Sequence, residues 1–184
     1  KAISETVKFN GGYQFNEVGV TNFEDVTNPD VTNLNKEIIR TNAIFGEIEW
    51  FSNSRKTYIR LGSRISSFGK LSEVLIEPRF TVNYKFLDHF RLEVLGELKS
   101  QSITQIIDLQ QDFFGIEKRR WQLANTNDVP LITSEQVSLG LSYNHNNLLI
   151  SVEGYYKGVN HITARSQGFQ NQFQFSEDIG TYTV

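Results

Sequence analysis

The side chains with chemistry to offer in this chain are charged, and they recur at alternate positions. Glu47 and Glu49, then Arg60 and Arg64, then Glu77 and Arg79, then Arg91, Glu93, Glu97 and Lys99 stand between apolar neighbours. Opposite signs fall in successive segments, so segments that pair side by side bring carboxylates against guanidiniums. That is ion-pairing chemistry in a wet setting. Catalytic signatures are missing: no HExxH, Walker loop, GxSxG or dinucleotide fingerprint occurs, and the co-occurrence of Ser, His and Asp carries no triad pattern. The chain is therefore read as a non-enzyme. His89, His145 and His161 are isolated in sequence, two of them in tight turns, and no metal or cofactor is assigned. The best candidate for ligand contact is Arg119-Arg120-Trp121, where guanidiniums that bind anions adjoin a stacking ring. A packing role, holding a long loop against its neighbours, is the favoured reading of the same three residues.

Composition narrows the function classes. The 184 residues carry 18 Lys plus Arg against 21 Asp plus Glu, a net charge of −3, which offers nucleic acid no attractive field. Hydrophobic residues make up 39% and aromatics 12%, with three prolines, a profile of an ordered chain. There is no cysteine, which excludes disulfides, thiolate metal sites and Cys nucleophiles. There is no methionine either, and Lys1-Ala2-Ile3-Ser4-Glu5 lacks a signal-peptide layout, so the chain is read as processed, trimmed or incomplete. The most apolar stretch, residues 148–152, is far too short for a membrane helix. A strand, however, crosses a bilayer in about 9 to 11 residues of which only alternate ones need be apolar.

Period-two patterning supplies such strands. Residues 43–51, 57–66, 74–86, 90–100, 135–144 and 148–158 alternate cleanly, with Ile59, Leu61 and Ile65 opposite Arg60 and Arg64 as the pattern case. Weaker candidates at 6–15 and 173–184 bring the count to eight. Connections 52–56, 87–89 and 145–147 are short; 16–36, 101–133 and 159–172 are long, with 67–73 a modest member of the long set. Short and long connections thus fall at opposite ends of the strands, and a soluble domain rarely carries a 101–133 connection without structure. Pro78 interrupts a paired strand and predicts a bulge there, and the Asn/Thr/Asp-rich segment 21–35 reads as a solvated loop. No domain boundary is proposed within residues 1–184.

Alternation alone leaves open whether the apolar face meets a core or lipid. The charge ladder favours a wide, wet lumen, so Glu47, Glu49, Arg60, Arg64, Glu77, Arg79, Glu93 and Glu97 are expected to face that lumen, with Ile59, Leu61 and Ile65 toward lipid. Trp50, Phe51, Tyr84, Phe86, Phe90 and Tyr143 flank the short turns at one level, as an interfacial aromatic girdle would.

Beyond these patterns lies a resemblance. Gly115-Ile116-Glu117-Lys118-Arg119-Arg120-Trp121-Gln122-Leu123-Ala124-Asn125, Ser134-Glu135-Gln136-Val137-Ser138-Leu139-Gly140-Leu141-Ser142-Tyr143, Ser151-Val152-Glu153-Gly154-Tyr155-Tyr156-Lys157 and Ser166-Gln167-Gly168-Phe169-Gln170-Asn171-Gln172 resemble the late-barrel region of TonB-dependent outer-membrane receptors. Ile76-Glu77-Pro78-Arg79-Phe80 resembles an earlier strand of the same family. The resemblance spans roughly residues 40–184 and implies an all-β, antiparallel transmembrane β-barrel of 22 strands in the Gram-negative outer membrane. About eight of those strands would lie here. It implies import of a scarce solute such as a metal chelate, cobalamin, glycan or peptide, energised by the inner-membrane partner TonB. The plug, the TonB box and the terminal aromatic of such receptors are absent from this sequence, so a partial barrel domain is expected. Outer-membrane lipid is then the surrounding partner, and a surface lipoprotein would accompany a glycan or peptide importer. Two other readings stay open: a complete eight-stranded outer-membrane barrel with a structural or adhesive role, and a soluble lipocalin-like carrier with its apolar faces inward.

Overall fold

The computed structural model of the chain describes residues 3–27, 30–108, 118–169 and 175–182, of which the side chains at 24, 26–27, 30–31, 107–108, 118–119, 164–169 and 175–182 are left aside. Every regular element among them is a strand: β1 (Val7–Thr27), β2 (Asp30–Phe51), β3 (Thr57–Phe68), β4 (Glu73–Phe86), β5 (Phe90–Gln101), β6 (Ile103–Asp108), β7 (Lys118–Leu123), β8 (Ile132–His145), β9 (Leu148–Asn160), β10 (Ile162–Phe169) and β11 (Phe175–Tyr182). Seven of them form one antiparallel sheet in the order β1-β2-β3-β4-β5-β8-β9, open at β1 and β9, while β6-β7 and β10-β11 are separate hairpins.

This is the all-β antiparallel architecture that the alternation predicts, with more strands than the eight expected. The connection 101–133 carries the hairpin β6-β7, and the one after β9 contains β10. These strands escaped a period-two reading because they are short and lack a regular apolar alternation. The described residues of the segment read as a solvated loop, 21–27 and 30–35, are also strand: β1 and β2 pair from Val7↔Trp50 up to Thr27↔Asp30. Asn and Asp are poor strand formers, but here the two arms hold each other in continuous antiparallel register. Since β3 joins β2 only from Thr41↔Phe68 downward, the upper half of this hairpin stands beyond the sheet as a two-stranded ribbon.

No bulge occurs at Pro78 between β3 and β4, whose register runs without a slip through Gly62↔Arg79, Ser63↔Pro78 and Arg64↔Glu77. The proline acts on the other side. The β4-β5 ladder runs from Phe86↔Phe90 to Arg79↔Glu97 and stops there, one residue short of Pro78, which has no N–H to continue it.

Register sorts the side chains into rows. Phe9, Ile48, Leu61, Phe80, Gly96, Val137 and Tyr156 form one row across all seven strands, and the adjoining row on the opposite face is Asn10, Glu47, Gly62, Arg79, Glu97, Gln136 and Lys157. Ile44, Ile48, Leu61, Ile65, Ile76, Val137, Leu139, Leu141 and Val152 are all exposed on the apolar face, and among the described residues no element covers it. The core lies elsewhere. Val20, Ile39, Phe68, Leu71, Leu123, Ala124 and Leu131 are buried together, joined by Val18, Leu75 and Ile103. Val18, Val20, Ile39, Phe68 and Leu75 share the charged face, nearer the long connections. The connecting segments therefore fold over the charged side of the sheet.

The opposite end is built of tight turns. Asn146 and Asn147 both have positive φ, 46° and 62°, between the paired His145 and Leu148, so β8 and β9 are joined by a two-residue turn whose backbone twist matches the strands. Aromatic rings line this rim: Phe86–Phe90 at 5.6 Å, Phe90–Tyr143 at 5.0 Å and Phe51–Tyr58 at 4.8 Å between centroids.

Candidate functional site

The charged face of β2 to β5 is the candidate site, and its members are brought together by register. Glu49↔Arg60↔Thr81 and Phe45↔Arg64↔Glu77 are rows on neighbouring strands, so residues far apart in sequence stand about 5 Å apart across the ladder. Arg60 Nε lies 3.7 Å from Glu47 Oε2, and Glu49 Oε1 accepts a hydrogen bond from Asn10 Nδ2 at 3.3 Å. Arg79 and Glu97 are direct partners in register, and Glu97 Oε1 is 2.6 Å from Lys99 Nζ on the same face of β5. Glu93 stands opposite Asn83 and Gly140 rather than a cation.

Glu77 is the centre of the most connected group. Its Oε1 accepts from the backbone N–H of Ser100 at 2.7 Å and from Ser100 Oγ at 2.8 Å. Its Oε2 accepts from Ser66 Oγ at 2.8 Å and lies 3.5 Å from Arg64 Nε. Arg64 in turn donates from Nη1 to Gln14 Oε1 at 2.9 Å and from Nε to Ser66 Oγ at 3.0 Å, tying β1, β3, β4 and β5 into one network. The carboxylate sits where the main-chain ladder fails beside Pro78, and takes the β5 N–H that a backbone carbonyl would otherwise accept. A cavity of about 310 Å³ opens beside it, lined by Arg64, Ser66, Glu77, Arg79, Glu97 and Lys99 among others. On the apolar face the same gap is matched by a cavity of about 580 Å³ lined by Leu61, Pro78, Phe80, Leu98, Val137 and Tyr156.

The arrangement holds charges of opposite sign in partly buried pairs. It presents neither a nucleophile with a base nor a cradle for phosphate. Among the described residues no three of His, Cys, Asp and Glu come together to hold a metal ion.

Sequence reasoning named the charges but not their neutral partners. Gln14, Ser66 and Ser100 give no signal beyond polarity, and Ser66 is almost wholly buried. Of the loop candidates, Arg119 and Arg120 stand opposite Ile107 and Ile106 in β7-β6, and the side chain of Arg119 lies outside the described residues. Arg120 and the half-exposed Trp121 line a cavity of about 190 Å³ with Val20, Asn22 and Glu37. The Trp121 carbonyl accepts from Asn22 Nδ2 at 2.9 Å, which fastens β7 to the projecting ribbon. The histidines read as isolated are not all so: the rings of His89 and His145 lie 4.1 Å apart, because the turns that carry them are neighbours at the rim.

No protein-family profile and no curated protein matches the chain. Among solved structures it is similar to the siderophore receptor PirA from Acinetobacter baumannii, with a TM-score of 0.63 at 13% sequence identity over 97% of this chain. The match takes in 29% of that receptor, so the chain spans well under half its length. The fold of the chain is that of a stretch of antiparallel sheet from such a receptor.

Proposed function

We propose that this chain is part of the wall of a TonB-dependent outer-membrane receptor that imports a scarce solute such as a metal chelate, glycan or peptide. The observation that carries the reading is the separation of faces across seven strands: one exposed and apolar, the other bearing Glu47, Glu49, Arg60, Arg64, Glu77, Arg79 and Glu97 in paired rows. Lipid takes the apolar face, and a hydrated lumen takes the charges. Similarity of fold to a siderophore receptor supports a receptor wall, as do short turns at one end and long connections folded over the charged face at the other. The open edges at β1 and β9 favour a larger barrel over a closed eight-stranded one, since β11 pairs β10 and not β1 among the described residues. TonB and any surface lipoprotein would be engaged by other parts of the receptor.

The test is made on the intact protein in its native cell envelope. It should fractionate with the outer membrane, show heat-modifiable gel mobility, and support uptake of its solute only when TonB is present. Partition into the aqueous phase without detergent would overturn the reading.

A further inference from the structure

At the tight-turn rim, far from the Glu77 network, two imidazoles meet. His89 ends the three-residue turn between β4 and β5, and His145 ends β8. Their ring centroids are 4.1 Å apart with 52° between the planes. Each is anchored by its backbone, and among the described residues no hydrogen bond occupies either ring. The Asn144 N–H donates to the His89 carbonyl at 2.9 Å, extending the β5-β8 ladder one step past Phe90↔Tyr143, and His145 faces Leu148 across the turn held by Asn146 and Asn147. The Tyr143 ring closes the side toward the sheet, 6.1 Å from His89 and 6.4 Å from His145. The other side is open to a cavity of about 660 Å³ that Lys85, Asp88, Arg91 and Asn144 also line.

We propose that His89 and His145 form a two-imidazole chelate for a divalent transition-metal ion, with water completing its coordination. Imidazole nitrogens bind such an ion at about 2.0 to 2.1 Å, which sets two ligating rings within roughly 5 Å of each other, so the observed spacing needs only small side-chain rotations. The ligand type selects copper, nickel or zinc over calcium or magnesium, which prefer oxygen. Lys85 and Arg91 line the same cavity and repel any cation, so binding there rests on the two imidazole nitrogens. An ion bound here would clip the β4-β5 turn to the β8-β9 turn. The inference stands on rim geometry and does not depend on the transport reading.

The experiment uses the intact protein, purified without a polyhistidine tag, titrated with Cu²⁺ and with Zn²⁺. Electron paramagnetic resonance of the copper form should show two coordinated imidazole nitrogens, and one in either His89→Ala or His145→Ala. Either substitution should weaken Zn²⁺ binding by about 100-fold, because the second ligand acts at high effective concentration. His161→Asn should leave both readouts unchanged. If either alanine variant fails to fold, judged by far-UV circular dichroism, the corresponding Gln variant replaces it. Unaltered affinity and an unaltered copper spectrum in the folded His89 and His145 variants would overturn the proposal.

Discussion

At the residue scale, the two faces of β3 carry opposite costs. Leu61 is 56% exposed on the apolar face, whereas Arg60 points the other way toward Glu47. Leu61→Arg should cost about 2 to 4 kcal/mol of folding stability in bilayers if its position is near the midplane. Arg60→Leu should cost under roughly 1 kcal/mol, since its 3.7 Å pair is partly exposed. Denaturant unfolding of the intact protein in lipid vesicles measures both. The reverse order would mean that the apolar face is a core and that the transport reading fails. Glu77 is a different case, because its side chain is only 13% exposed and three donors depend on it. Glu77→Ala leaves the Ser100 N–H and the Ser66 hydroxyl without acceptors, at a cost of about 1 to 3 kcal/mol. A Glu77→Ala protein as stable as the parent would show that water replaces the carboxylate freely.

At the element scale, β4 and β5 meet through an aromatic ring laid over a glycine. Phe80 stands opposite Gly96 in register, and a Cβ at residue 96 would strike the Phe80 ring. Gly96→Ala should therefore destabilise the sheet by about 1 to 3 kcal/mol, and Phe80→Leu should recover part of that loss in the double variant. A double-mutant cycle with no coupling would rule out this contact. The loop after β7 depends on Asn125, whose Oδ1 accepts from the N–H groups of Asn127, Asp128 and Val129 at 2.9, 2.8 and 3.3 Å. Val129, at the end of this turn, is buried. Asn125→Ala should leave the far-UV circular dichroism of the sheet intact while making residues 125–129 susceptible to protease, and unchanged proteolysis would show the turn is held by its neighbours instead.

At the scale of the whole molecule, the edges β1 and β9 are rows of backbone donors and acceptors seeking further strands. If the proposed larger wall completes them, they should be protected from amide exchange in the intact protein to the same degree as the central β3 and β4. Fast exchange confined to β1 and β9 would mean that no further strands complete the wall.

The sequence alone determined which side chains share a face, because a strand repeats every two residues and the alternation in 57–66, 74–86 and 90–100 admits only one assignment. It also determined the three tight turns and the aromatic level beside them. It could not show β6, β7, β10 or the upper ribbon of β1-β2 as strands, since these segments lack a regular apolar alternation and gain their order from pairing with one another. Nor could it join Glu77 to Ser100, or His89 to His145. Those contacts depend on register between segments separated by long connections, and register is set only when whole strands align their apolar faces. Tertiary structure alone decided that Pro78 ends a ladder instead of making a bulge, because the missing N–H matters only on the side where a neighbour would have used it.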